Sequence, residues 1–261
     1  MTDRDETPPG ARPPALQSSA ARSAGPPTSL SASMEEPIYW LDDARDCVRC
    51  GLSANRAQVV LPDGDPTSLI AVGEGPGAEE DAQGVGFVGA SGRTLDREIE
   101  AVTGLSRPEY ARANIVRCRP EKNRVPSSDE RRACDPHLSA YLAAVKADAH
   151  RQGRVPPVLL AVGRTAIAHL LGQKAPEKTE MHRWLARWEY GDVFLPSYQG
   201  FLVVPMPHTS GLSWNQPYST PEDESRAAED ESSSRPQKNG RAAELGRWAL
   251  RFAWGRVQAH S

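Results

Sequence analysis

The 261-residue chain predicts an α/β fold, a three-layer sandwich with a mainly parallel central sheet of about four strands flanked by helices. Three observations predict it. Short apolar runs of strand length, closed by glycine or proline, alternate with stretches of helical period. The runs lack the polar alternation of a half-solvated strand, as expected where both faces are buried. The alternation is confined to the middle of the chain, and the flanks are too polar to build a core.

In order, residues 1–36 carry Pro8-Pro9, Pro13-Pro14 and Pro26-Pro27 and almost no large apolar residue. They read as a disordered leader. The globular domain is assigned to residues 37–218. Its first strand is Ser68–Gly73, followed by a helix over 91–103 with Leu95, Ile99 and Val102 on one face. Ala113–Val116 forms the second strand, and Ser127-x-x-Glu130 is a capping box that opens a helix to about Asp148. Pro157–Gly163 is the third strand, 164–171 a short helix, and Phe201–Pro205 the fourth strand, ending just before His208. Residues 219–240, with Glu222, Asp223, Glu224, Glu229, Asp230 and Glu231, read as an acidic disordered linker. In the closing segment 241–261, Leu245, Trp248, Ala249 and Phe252 recur at spacings of three and four, so 241–257 reads as an amphipathic helix that docks on the domain.

Ligands of such sheets bind beyond the carboxyl ends of the strands. Gly73–Gly77, Asn114–Arg119 and His208–Leu212 all follow strand ends, so three loops should converge on one cleft.

Composition narrows the chemistry. Apolar residues make up 38%, with 23 prolines and 21 glycines, which suits a compact domain with polar tails. A net charge of −3 excludes a polycation that holds nucleic acid by bulk attraction, so any such partner must meet a local patch. No apolar run reaches membrane-spanning length and the first residues have no apolar signal core, so a cytoplasmic protein without membrane contact is expected. In a reducing compartment the four cysteines favour a metal, a cluster or free thiols over disulfides.

Gly73-Glu74-Gly75-Pro76-Gly77 follows a strand like a phosphate cradle, but G-x-G-x-G is not the dinucleotide fingerprint. Gly86 to Gly92 fails as a Walker A loop, since the spacing is wrong and Arg93 replaces lysine. The plain alternative is a strand-to-loop turn with solvent-facing acids Glu79, Glu80 and Asp81. Cys47-x-x-Cys50 with the distant Cys118 and Cys134 fits paired zinc knuckles poorly and an iron–sulfur cluster acceptably. Cys134 also shares a helix face with Leu138, Tyr141 and Val145, as a buried thiol would. Spacing alone leaves cluster, zinc and free thiols open. Arg112–Arg132 holds seven basic and three acidic residues around Cys118, a focused patch suited to phosphates unless it is a solvated face.

Taken together, Cys47-x-x-Cys50, Gly73–Gly77, Gly86-Phe87-Val88-Gly89, Asn114-Ile115-Val116-Arg117-Cys118-Arg119-Pro120, Asn123-Arg124, the Cys134 spacing and His208 resemble the family 4 uracil-DNA glycosylases. The likeness covers about residues 45–212. It implies a monomeric, monofunctional base-excision enzyme of the bacterial cytosol or nucleoid, acting on uracil-containing DNA. It also implies a [4Fe-4S] cluster on Cys47, Cys50, Cys118 and Cys134. By resemblance, Gly73 and Gly75 border the substrate, Phe87 stacks on a flipped uracil, Asn114 reads its polar edge, and His208 donates to O2. Glu74 is the nearest carboxylate to the position, near Gly75, where related families carry an aspartate. It is assigned, with Asn114, to position water or the sugar cation. Arg117, Arg119 and Arg124 are assigned to DNA, and Leu212 to the wedge that fills the vacated stack.

The second motif, His208-Thr209-Ser210, departs from the family's usual His-Pro-Ser, which loosens the expectation on substrate range. The superfamily branch that cross-links to DNA through an inserted basic loop is disfavoured, because residues 119–126 carry no insertion. Competing readings are a non-catalytic iron–sulfur or zinc DNA-binding module, a small-molecule hydrolase, and a related glycosylase with another damaged base as substrate.

Overall fold

The computed structural model describes residues 44–172, 180, 181, 183, 197–218 and 240–259. The leader assigned to 1–36 and all but the last residue of the acidic linker lie outside these.

The central sheet has five strands in the order β2-β1-β3-β5-β4, where β1 is Leu69–Gly73, β2 Ala111–Asn114, β3 Val158–Val162, β4 Ser197–Tyr198 and β5 Phe201–Met206. The first four in that order run parallel, and β4 is antiparallel to β5 at the edge. Every residue of β1 and β3 is buried. Their near-continuous apolar sequence thus reflects coverage on both faces. Helices α1 (Ala78–Gln83) and α2 (Ala90–Thr103) follow β1, α3 (Ser128–Arg151) follows β2, and α4 (Arg164–Leu171) follows β3. Ser127 caps α3 as its sequence predicts, its hydroxyl accepting from the Glu130 N–H at 3.2 Å and its own N–H donating to the Glu130 carboxylate at 2.7 Å.

Strand β2 lies two residues earlier than the apolar run Ala113–Val116 predicts. Ile115 and Val116 are buried, but their N–H groups donate to the carbonyls of Gly73, the last residue of β1, and Glu74, the residue after it. Arg112 occupies a strand position because Asp63 neutralises it at 2.8 Å and bridges it on the other edge. A charged residue inside a strand is invisible to an apolar-run criterion. The β4–β5 hairpin is likewise missed: its two-residue turn is Gln199-Gly200, both at positive φ (52° and 87°), a geometry that matches strand twist.

After β5, the short helix α5 (Gly211–Trp214) leads to β6 (Pro217–Tyr218), which pairs with β7 (Gly240–Arg241). The last residue assigned to the linker, Gly240, is therefore paired. Helix α6 (Ala242–Gln258) packs on α2, β3 and β5. Leu245, Ala249 and Phe252 are buried and Trp248 partly so, as the periodicity predicts. Arg247 clamps Glu98 of α2 at 2.7 and 3.2 Å, which holds the Glu98 carboxyl below its ordinary pKa. Gly246 lies under Trp214, where a Cβ would meet the indole at 2.2 Å, so α5 is seated directly on α6.

The chain runs from β1 outward to β2, then returns to the other side of β1 as β3. The switch point therefore lies between the carboxyl ends of β1 and β3, where ligands of open α/β sheets bind.

Candidate active site

A cleft of about 440 Å³ opens at that switch point. The size is in the range of small-ligand pockets. Glu74, Phe87, Asn114, Arg124 and His208 share its lining, each from a different loop or strand end, together with Gly73 and Gly75. The three loops expected to converge do so.

Asn114 is the last residue of β2, 5% exposed and in register with Gly73. Gly73 is where the wall closes: a Cβ there would lie 2.6 Å from the Asn114 Oδ1 and 2.7 Å from the Phe87 Cζ. The absence of a side chain lets an amide and an aromatic ring meet over one backbone.

Phe87 has φ of 55°, a left-handed conformation that costs an aromatic residue of order 1–3 kcal/mol. Its surroundings hold it there. Arg107 donates to the Phe87 carbonyl at 3.0 Å and the Gly86 carbonyl at 2.5 Å, while Asp96 holds the same guanidinium at 2.7 Å. Gly92 lets the first turn of α2 approach the Phe87 backbone, which a Cβ would meet at 1.9 Å.

His208 follows β5 and packs on Gly163, where φ is +85° and a Cβ would meet the imidazole at 3.0 Å. The Ser210 N–H donates to the His208 Nδ1 at 3.0 Å. An acceptor Nδ1 places the proton of the neutral ring on Nε2. Burial lowers the pKa of His208, and the nearby Glu74 carboxylate opposes this only in part. The Thr209 hydroxyl donates to the Ser91 carbonyl at 2.8 Å, which ties the loop to α2 in the absence of a proline after His208.

The acids after the glycine loop do not all face solvent. Glu79 does, with Arg93 at 3.1 Å. Glu80 is buried and accepts from the Gly77 N–H at 3.0 Å and the Gly89 N–H at 2.7 Å, which locks two cleft loops together. Asp81 is also buried and accepts from the Ala57 N–H at 2.9 Å. Sequence alone misses these ties; the one available signal for Glu80 was its place three residues after Gly77, the third position of a helix.

The Uracil DNA glycosylase superfamily model matches residues 62–230. The chain is 34% identical over 159 residues to the type-4 uracil-DNA glycosylase of Thermotoga maritima, covering 59% of this chain and 78% of that protein. It is 29% identical over 177 residues to that of Saccharolobus solfataricus, covering 67% and 76%. A third, from Sulfurisphaera tokodaii, is 29% identical over 178 residues, covering 67% and 74%.

The chain belongs to the type-4 uracil-DNA glycosylases. In this glycosylase the superfamily match begins after Cys47 and Cys50 and stops short of α6.

All four cysteines are free and line a second, small cavity between residues 47–56, the exit of β2 and the start of α3. The Arg117 N–H donates to the Cys134 Sγ at 3.3 Å, and Arg56 reaches the Cys118 Sγ at 3.5 Å and the Cys47 carbonyl at 2.6 Å. Burial raises the Cys118 thiol and pushes Cys134 up to about 11, so neither is a ready nucleophile. Among the described residues no three His, Cys, Asp or Glu side chains close on a single metal-ion position.

One of the arginine assignments, Arg117, needs correction. Arg117 is 2% exposed and faces the cysteine cavity, so it cannot contact a phosphate without leaving the core. Arg112, counted in the basic patch, is equally buried against Asp63. Arg124 lines the cleft but is paired twice with Glu130, at 2.6 and 2.7 Å, which holds that carboxyl down to about 2. Arg119 is half-buried, outside the cleft lining, with its Nε donating to the Asn123 Oδ1 at 2.8 Å. Leu212 is outside the lining too, but 89% exposed on α5, while its neighbour Trp214 is turned inward onto Gly246.

Proposed function

We propose that this chain is a monofunctional uracil-DNA glycosylase of base excision repair, which accepts a uracil flipped out of DNA and hydrolyses its N-glycosidic bond to leave an abasic site. The observation that carries the reading is the juxtaposition of the Asn114 amide, the Phe87 ring and a neutral His208 around one cleft. Flipping costs a few kcal/mol and exposes the base's Watson–Crick edge to inspection. Phe87 offers a ring for stacking. The Asn114 amide can donate to uracil O4 and accept from N3–H. Cytosine reverses both groups, and each buried mismatch costs about 1–3 kcal/mol.

As the C1′–N1 bond breaks, its electron pair moves into the uracil ring and onto O2. The His208 Nε2–H is the donor for that oxygen, and such a donor contributes roughly 3–4 kcal/mol. A neutral imidazole donates without placing a cation beside the sugar, where positive charge develops. Glu74, close enough to act on the charge of His208, would orient the water that adds to C1′ or stabilise the sugar cation. Among the described residues no lysine lines the cleft, and hydrolysis rather than a lyase step is the reaction we assign to it. Arg119 and Arg124 are the candidates for backbone phosphates, and Leu212 for the wedge.

Cys47, Cys50, Cys118 and Cys134 would hold a [4Fe-4S] cluster. Four cysteines lining one cavity, two of them in a C-x-x-C and two distant in sequence, suit a cluster that needs only four thiolates brought together, and fit paired zinc knuckles poorly. Bound there, the cluster would cross-link the 47–50 segment to α3 and the exit of β2.

The test is a single-deoxyuridine oligonucleotide, incubated and then treated with alkali. Strand scission is expected with uracil and not with cytosine, and the Asn114→Ala variant should lose it. Intact uracil strands with wild-type protein would reject the reading. If Glu74→Gln left single-turnover cleavage unchanged, the role given to Glu74 would be wrong.

A further inference from the structure

Arg117 carries a buried charge that no carboxylate among the described residues meets. It is 2% exposed and lies against the cavity shared by the four cysteines. One guanidinium nitrogen donates to the His137 carbonyl over a long 3.4 Å, and the other, Nη1, has no hydrogen-bond partner among the described residues. The groups that act on its charge are Cys134, Tyr141 and Cys118, with no Asp or Glu among them. Arg112, on β2 five residues earlier and also buried, is neutralised by two bonds to Asp63, at 2.8 and 3.1 Å. A buried cation left without a counter-charge is strongly destabilising, so its retention calls for an anion.

We propose that Arg117 is the counter-cation of a polyanionic metal–sulfur cluster held by Cys47, Cys50, Cys118 and Cys134. The inference rests on the [4Fe-4S] reading and goes beyond it. Four thiolates around a [4Fe-4S]²⁺ core leave a net charge of −2, and reduction makes it −3. Arg117 supplies a full positive charge from its guanidinium and a dipole from its backbone N–H, 3.3 Å from the Cys134 Sγ. Charge and hydrogen bonds to sulfur are the terms by which a protein tunes such a cluster. The same short segment carries Asn114 at its start and Cys118 at its end. Loss of the cluster would therefore strand an unpaired charge three residues from the amide assigned to read uracil. Arg117 is a positioning residue, acting through the cluster and the strand, and makes no contact with the substrate cleft.

The test compares the full chain, purified anaerobically, with Arg117→Met and Arg117→Lys. Iron and sulfide content, cluster midpoint potential, bleaching of the visible absorbance in air, and melting temperature before and after chelation are measured. Arg117→Met should shift the potential to more negative values, because the lost positive charge had favoured the reduced cluster, and should bleach faster. Arg117→Lys should recover most of both. Loaded with cluster, Arg117→Met should melt below wild type; stripped of iron, it should melt at or above it, since the apo wild type then buries an unpaired charge. A potential and bleaching rate equal to wild type, or the same melting deficit in both forms, would overturn the proposal. If Arg117→Met does not fold, the lysine variant decides: a near-wild-type potential supports the charge role, and cluster loss with the charge kept rejects it. Wild-type protein free of iron would instead reject the cluster reading itself.

Discussion

Substituting Gly73 by alanine tests the site where its geometry is tightest. The new Cβ would stand 2.6 Å from the Asn114 Oδ1, 2.7 Å from the Phe87 Cζ and 3.3 Å from its Cε1. Ordinary carbon contacts lie near 3.5–4.0 Å, so the amide and the ring must each withdraw by roughly 0.8 Å. Neither has an easy route. Asn114 is fixed by β2 pairing and buried, and the Phe87 backbone is held by Arg107 and by the first turn of α2. The displacement therefore falls on the two side chains that would grip the base. A misplacement approaching 1 Å costs about 10²-fold in rate. Overpacking costs about 1–3 kcal/mol, or roughly 2–10 °C of melting temperature in a domain of this size. Single-turnover excision from a duplex with one deoxyuridine should thus fall about 10²-fold while circular dichroism still reports a folded protein at 25 °C. Wild-type rates, or a loss accounted for by the unfolded fraction, would refute the placement of these groups.

Other outcomes follow from the same geometry. Because burial lowers the His208 pKa from 6.5, the neutral ring persists below the usual histidine range. Single-turnover rates should stay flat from pH 8 down to about 6.5 and fall only below that; a decline beginning above pH 7 would contradict a neutral donor. The linkage has the same sign: with the folded pKa depressed, stability from the neutral ring is present above the unfolded value and is lost as pH falls below it. His208→Ala should cost about 10²–10³-fold in rate with little change in KM. Glu80→Ala removes the carboxylate that joins Gly77 to Gly89 and should cost about 3 kcal/mol in urea unfolding, with a raised KM; a stability within 0.5 kcal/mol of wild type would count against the tie. Leu212→Ala should weaken excision from duplex more than from single strands, and equal losses would remove the wedge assignment.

The fold class and the convergence of three loops were legible because burial on both faces leaves an uninterrupted apolar signature in β1 and β3. The α6 face was legible for a similar reason, since Leu245, Ala249 and Phe252 obey helical period. Strand β2 was displaced in the reading because the residue that completes it, Arg112, is polar and is neutralised by Asp63, 49 positions away in sequence. The cleft residues Asn114, Phe87 and His208 were found through a likeness of motifs. Their conformations were not: nothing local in Gly86-Phe87-Val88 announces a left-handed aromatic, and the agents that enforce it, Arg107 and Gly92, sit elsewhere in the chain.

By itself the sequence determined which segments could be buried, where α2, α3, α4 and α6 begin, and which residue types stand at strand ends, since these depend on local periodicity and capping. Tertiary structure alone decided which charges face inward. Glu80 became a brace between loops and Arg117 a buried cation beside four thiols, although both read as surface residues. The cost of burying a charge is set by the partners that reach it through space, and those partners come from distant parts of the chain.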